Sequence, residues 1–129
     1  MPRKILIADD EPFLRTLMQQ VLEDLNDEGV ELLVASNGEE ALKTIQLEKP
    51  DLVFLDVMMP KKSGFDVCQA VRNSPDTRST YIVLLTAKGQ EVDRRIGLEL
   101  GADLYMTKPF DPDVLIEKAR QVLSNLKPT

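Results

Sequence analysis

A doubly wound α/β domain, five parallel strands covered on both faces by helices, is the fold this sequence predicts. Three observations point to it. Five short apolar runs recur along the 129 residues. Segments with helical spacing separate them, and the links between the two kinds of segment are short. The chain is long enough for one sizeable core. With 43% apolar and 29% charged residues, its composition is ordinary for a globular domain.

The apolar runs fall at residues 5–8, 32–35, 52–55, 82–85 and 104–106. None alternates strictly between apolar and polar, so each reads as a strand buried on both faces. After the first run, Pro12 suits a first helical turn, and Leu14, Leu17, Met18, Val21, Leu22 and Leu25 share one face. The second helix is expected over 38–48, between Asn37-Gly38 and Lys49-Pro50. The third is expected over 63–73, ending at Ser74-Pro75, and the fourth over 90–100, ending at Gly101. The fourth has the weakest stripe, mainly Val92, Ile96 and Leu100. The last helix carries Leu115, Ala119, Val122 and Leu126, joined by Ile116 and Leu123. No repeat, low-complexity stretch or linker interrupts this order, so one domain over residues 1–129 is expected.

Composition removes several function classes. There is no histidine, and the one cysteine, Cys68, has no partner for an internal disulfide. Zinc sites built from Cys and His are excluded, as are Ser-His-Asp and Cys-His catalytic sites. The net charge of −6 argues against direct contact with nucleic acid, whose phosphates need a basic face. No apolar run has the length of a membrane span or signal-peptide core, so a cytoplasmic protein with no membrane partner is expected.

Ligands of open parallel sheets gather at the carboxyl ends of the strands. Those ends read Asp9-Asp10-Glu11, Asp56, Thr86-Ala87 and Thr107-Lys108-Pro109. If the strand order is 2-1-3-4-5, then Asp9, Asp10 and Asp56 share one pocket, with Thr86 and Lys108 on its rim. Each pair of like charges ~4 Å apart costs roughly 4 kcal/mol at an effective dielectric of about 20. A retained proton, a lysine or a divalent cation would relieve this. All-oxygen ligands suit a hard ion such as Mg²⁺, with Mn²⁺ as the alternative. With the charge screened, Asp56 could attack phosphorus and form an acyl phosphate. Lys108 would stabilise the transition state, and Thr86 with the Ala87 amide would hold a phosphoryl oxygen.

Each residue also has a plainer use. Asp9-Asp10 before Glu11-Pro12 suits a helix N-cap, and Asp56 at a strand end suits a turn. Thr86 alone suits a contact between hydroxyl and backbone, Lys108 a solvated lysine, and Tyr105 a half-buried strand aromatic. None of these explains why all of them converge at the ligand-side strand ends.

The segments ILIADDEP, LVFLDVMMPKKSGFDV, IVLLTA and GADLYMTKPF, in this order and spacing, resemble the receiver domains of two-component response regulators over nearly the whole chain. The resemblance implies a (βα)5, flavodoxin-like fold with strand order 2-1-3-4-5. It implies a phosphorelay switch that takes a phosphoryl group from a sensor histidine kinase or a histidine phosphotransfer protein. On this likeness Asp56 is the phosphoacceptor, Asp10 the direct metal ligand and Asp9 a ligand acting through water. Met58 supplies its backbone carbonyl to the metal, Lys108 pairs with the phosphate, and Pro109 follows a cis peptide bond. Thr86 and Tyr105 match the switch pair, whose movement changes the surface of the fourth helix, fifth strand and fifth helix and so reaches a downstream protein target.

The chain departs from the family pattern in places. Lys61-Lys62-Ser63 precedes Gly64 where a Gly-Met-Asp-like turn is common, though Ser63 can still cap the third helix. In the winged-helix transcription-factor subgroup a second acid stands where Leu104 does here, and a glutamate and an arginine stand at Val114 and Lys118. That ion-paired dimer is not expected, and the unphosphorylated chain is expected to be a monomer. Lys88 and Met58 occupy positions that tune phosphoryl lifetime in the family.

Three rivals differ in chemistry. A haloacid-dehalogenase-type phosphohydrolase needs Asp-x-Asp after the first strand and a longer chain for its cap. A flavin carrier needs a Ser/Thr/Gly-rich phosphate loop where this chain is acidic. A pseudo-receiver that only docks keeps the fold without the chemistry. The expected protein turns over no metabolite and is in that sense not an enzyme.

Overall fold

The computed structural model describes residues 3–87 and 91–125. Five parallel strands, β1 (Arg3–Ala8), β2 (Val30–Ala35), β3 (Leu52–Asp56), β4 (Tyr81–Ala87) and β5 (Leu104–Lys108), pair in the order β2-β1-β3-β4-β5. The helices are α1 (Pro12–Leu22), α2 (Gly38–Glu48), α3 (Gly64–Asn73), α4 (Glu91–Glu99) and α5 (Pro112–Asn125). This is the doubly wound fold expected from the sequence. Position 90 of the expected fourth helix, Lys88, and Leu126 of the last stripe lie outside the described residues.

Strand side chains alternate between the two faces, and the core divides accordingly. Ile5, Ile7, Leu52, Phe54, Val83, Leu85 and Met106 face α1 and α5, meeting Met18, Leu22, Leu115 and Ala119. Leu6, Ala8, Val53, Leu55, Ile82 and Leu84 face α2, α3 and α4, meeting Ala41, Ile45, Val67 and Val71. Burying each large aliphatic side chain contributes roughly 1.5–3 kcal/mol, so the central strands dominate. The even-numbered positions of β4 look toward α4, and Thr86 continues that row.

Three expectations need correction. The outer strands are not buried on both faces: β2 exposes Glu31 and Val34, and in β5 only Met106 is buried. The strand order puts both at sheet edges, where one side lacks a neighbour. The first helix is shorter than its apolar stripe, because a 3₁₀ helix (Glu23–Glu28) takes over after Leu22 and carries the buried Leu25. In α4 the stripe splits: Val92 is 67% and Ile96 37% exposed, whereas Leu100, just past the helix, packs against the core. What α4 seats on the sheet is Gly97, where a Cβ would overlap Leu84 Cδ1. The helix backbone comes this close because no side chain intervenes.

At the amino ends of β4 and β5 a single guanidinium ties the layers together. Arg72, at the end of α3, donates through Nε to the Gly101 carbonyl at 2.7 Å and through Nη1 to the Thr80 carbonyl at 2.6 Å. Its Nη2 meets Asp103 Oδ2 at 2.7 Å, an oxygen that also accepts from the Ile82 amide at 2.8 Å. Nearby, the buried Cys68 thiol lies 3.7 Å from the Leu100 carbonyl, just past α4. Among the described residues no helix is long and apolar enough to cross a membrane.

Candidate functional site

At the opposite, carboxyl end of the sheet the acidic residues meet. Asp9 follows β1 and Asp56 ends β3, and these two strands are paired neighbours. Carboxylate oxygens of Asp9, Asp10 and Asp56 lie within 4.8 Å of one another. Asp9 and Asp56 are buried, whereas Asp10 is exposed. Together with Glu11, Leu14, Met58, Ala87, Lys108 and Pro109, Asp10 and Asp56 line an open cleft of about 500 Å³. A larger groove at the other end of the sheet, about 670 Å³, is lined by charges of both signs, among them Arg3, Glu28, Glu117 and Arg120.

Lys108 sits deeper than the rim position expected for it. Its Nζ lies 3.1 Å from Asp9 Oδ2 and 3.2 Å from Asp56 Oδ1, so one ammonium is shared by two carboxylates. It reaches the site from the end of β5, just before a cis Lys108–Pro109 bond. Burial works against its charge, but Asp56 and Asp9 outweigh that and raise its pKa. Asp56 is pushed up to about 6, first by burial and then by the charge of Asp9, with Lys108 and the Met58 amide pulling the other way. One lysine does not neutralise three acids, and this all-oxygen set fits a hard divalent cation.

Asp9 is fully engaged by the protein. Its Oδ1 accepts from the Glu11 amide at 2.9 Å, its Oδ2 meets Lys108, and its carbonyl accepts from Arg15 Nη1 at 2.7 Å. It does not cap α1, whose N-cap is Glu11 without a side-chain bond. Asp10 has no such partners among the described residues and opens to solvent, which leaves it the freest oxygen donor of the three.

The loop after Asp56 is held over the site. Met58 donates its amide to Asp56 Oδ1 at 3.3 Å while its side chain is 76% exposed. The Gly64 amide bonds back to the Val57 carbonyl, and a Cβ on Gly64 would overlap the Asp56 carbonyl oxygen. Ser63 caps α3 in a full capping box with Asp66, as its sequence position suggested.

Thr86 is buried and turned away from the cleft: its hydroxyl lies 3.3 Å from Asp93 Oδ2 in the first turn of α4. Ala87 lies at the cleft wall. Tyr105 is half-buried, with the Arg94 guanidinium 6.0 Å from its ring centre. Sequence reasoning missed Asp93 and Arg15. An acid in a first helical turn reads as a dipole complement, and an arginine on α1 reads as solvated. Neither carries a local mark of its tertiary partner.

A family model described as the response regulator receiver domain matches residues 5–120. The chain is 47% identical over 123 residues to the alkaline phosphatase synthesis transcriptional regulatory protein PhoP of Bacillus subtilis, a match covering 95% of this chain and 49% of that protein. It is 45% identical over 120 residues to the transcriptional regulatory protein CpxR of Escherichia coli, covering 93% and 49%. The chain thus spans about half the length of the curated relatives it matches. Among solved structures, a putative response regulator from Chloroflexus aurantiacus superposes with a TM-score of 0.86 at 34% identity, covering 97% of this chain and all of that one. The chemotaxis response regulator CheY4 of Vibrio cholerae gives 0.83 at 31% identity, covering 95% and 99%.

Proposed function

The chain belongs to the response regulator receiver family of two-component systems, and from that premise we propose that Asp56 is its phosphoacceptor in a Mg²⁺-dependent phosphoryl switch. The observation that carries this is the Asp56 carboxylate, buried beside Asp9 and 3.2 Å from Lys108 Nζ, yet lining an open cleft.

Asp10 and Asp56 would hold the divalent ion directly, Asp9 through water and Met58 through its carbonyl, with Mn²⁺ as a substitute. When bound, the ion supplies positive charge against the phosphoryl oxygens. The rest falls to the chain's own residues. An oxygen of the Asp56 carboxylate attacks phosphorus in line, and the bond from phosphorus to the donor breaks as the acyl phosphate forms. Lys108 pairs with one phosphoryl oxygen, and the Ala87 amide and the Thr86 hydroxyl take another. A donor histidine, on a sensor kinase or phosphotransfer protein, approaches over the exposed Met58 and Asp10.

Rearrangement of Thr86 and Tyr105 then alters the face made by α4, β5 and α5, where Val92, Ile96 and Val114 are exposed. That face reads out to a protein target, with no direct contact to nucleic acid. Residues 1–129 act as one receiver domain in the cytoplasm, monomeric before phosphorylation and turning over no metabolite. All the side chains this chemistry needs lie among the described residues, and no observation favours a docking-only reading.

The test is the intact mass after incubation with acetyl phosphate and Mg²⁺. A gain of one phosphoryl group, abolished in Asp56→Asn and by EDTA, is expected. No adduct, together with no binding of beryllofluoride, would overturn the proposal.

A further inference from the structure

The contact between Thr86 and Asp93 deepens that reading and rests on it. A hydroxyl has one proton to donate, and a carboxylate or a phosphoryl oxygen can only accept. Thr86 can therefore serve Asp93 or a phosphoryl group on Asp56, but not both at once. In the described structure it serves Asp93, at 3.3 Å. We infer that Asp93 is a positioning residue of the switch: it holds the Thr86 hydroxyl on the α4 side, and a phosphoryl group must compete for that proton.

The surroundings of α4 fit this assignment. Thr86 continues the row of β4 side chains, including Ile82 and Leu84, that face α4, so its resting direction follows from strand alternation. The next residue, Arg94, lies over Tyr105 at 6.0 Å, so adjacent positions on one turn lie beside both members of the switch pair. The far end of the helix is fixed separately, because Arg72 holds the Gly101 carbonyl at 2.7 Å. Between these ends the helix rests on Leu84 through Gly97. Release at the Asp93 end would leave the base in place, so the motion it permits is a tilt of α4.

The experiment measures beryllofluoride affinity, with Mg²⁺ present, for wild type, Asp93→Ala, Asp93→Asn, Thr86→Ala and the Thr86→Ala/Asp93→Ala double variant. Loss of the resting partner should tighten binding in Asp93→Ala by about two- to tenfold, the worth of one modest hydrogen bond. Asn keeps an acceptor oxygen and should return affinity most of the way to wild type. In the Thr86→Ala background, removal of Asp93 should change nothing further. Without metal or fluoride, amide exchange in the first turn of α4 should quicken in Asp93→Ala. Unchanged or weaker binding in Asp93→Ala overturns the inference, as does a gain that persists without the Thr86 hydroxyl. A wild type that binds no beryllofluoride overturns the phosphoryl switch itself, and this inference with it.

Discussion

The two ends of the sheet treat clustered charge in opposite ways. At the base, Arg72 finds two backbone carbonyls and the Asp103 carboxylate within 2.7 Å, and Asp103 in turn satisfies the Ile82 amide. At the top, Asp9, Asp10 and Asp56 crowd together with one lysine between two of them. The base is a closed set of partners and serves the fold. The top is short of positive charge, as the proposed chemistry requires, since a site already neutral would gain little from a cation or a phosphoryl group. Stability and function are thus kept some distance apart, at opposite ends of the same strands.

Substitutions can break this contrast, and the largest effect is expected at the base. Arg72→Ala strips partners from the Gly101 and Thr80 carbonyls and leaves Asp103 without its cation. It should destabilise the fold by about 2–3 kcal/mol, mainly through the lost hydrogen bonds to the two carbonyls, read as a lower urea midpoint. At the top the sign should reverse. Asp56→Asn removes a carboxylate held at about 6 instead of its ordinary 3.8. Without metal it should stabilise the protein at pH 7 by roughly 2 kcal/mol, and added Mg²⁺ should narrow the gap by stabilising wild type preferentially.

The pH dependence sharpens the same point. Because folding raises the Asp56 pKa, the native state binds the extra proton between about pH 4 and 6. The favourable contribution of protonated Asp56 is complete below its unfolded pKa and is lost as pH rises through its folded value. The advantage of Asp56→Asn over wild type should therefore appear across that window and level off above it; urea titrations at stepped pH would check this. Gly97→Ala should cost about 1–2 kcal/mol, an overpacking effect against Leu84, visible in thermal melts. The smallest effect is expected at the exposed Arg120–Glu28 pair, also at the base. Arg120→Ala should leave the urea midpoint where it is, since water already screens that pair. A large loss there would mean that charge at the base matters through its location rather than through closure of the hydrogen-bond set.

Much of this was legible in the sequence, for identifiable reasons. The α2 bounds match because Asn37 caps through its side chain and Lys49 turns left-handed before Pro50. The strands were found because their central residues are buried on both faces, although hydrophobicity alone does not separate an edge such as β2 from a centre such as β3. The acid cluster emerged once the strand order was assumed. What stayed hidden was tertiary. Leu25 extends the apolar stripe of α1 although the backbone has already tightened into a 3₁₀ helix. Gly97 packs α4 without giving any hydrophobic signal, and the visible stripe of Val92 and Ile96 misleads as to which side faces in. Thr86 reads from sequence as a rim residue because its partner, Asp93, lies seven positions on in another element.

The lone thiol offers one more consequence. Cys68 is buried beneath the end of α4, with the Leu100 carbonyl beside its sulfur and its pKa raised, chiefly by burial. A maleimide added to the native protein can reach it only during moments when α4 and α3 part. The alkylation rate is therefore a clock for such partings, with a single reactive site and no label to engineer. Timed with and without beryllofluoride, it would count how often the helix lifts in each state of the switch.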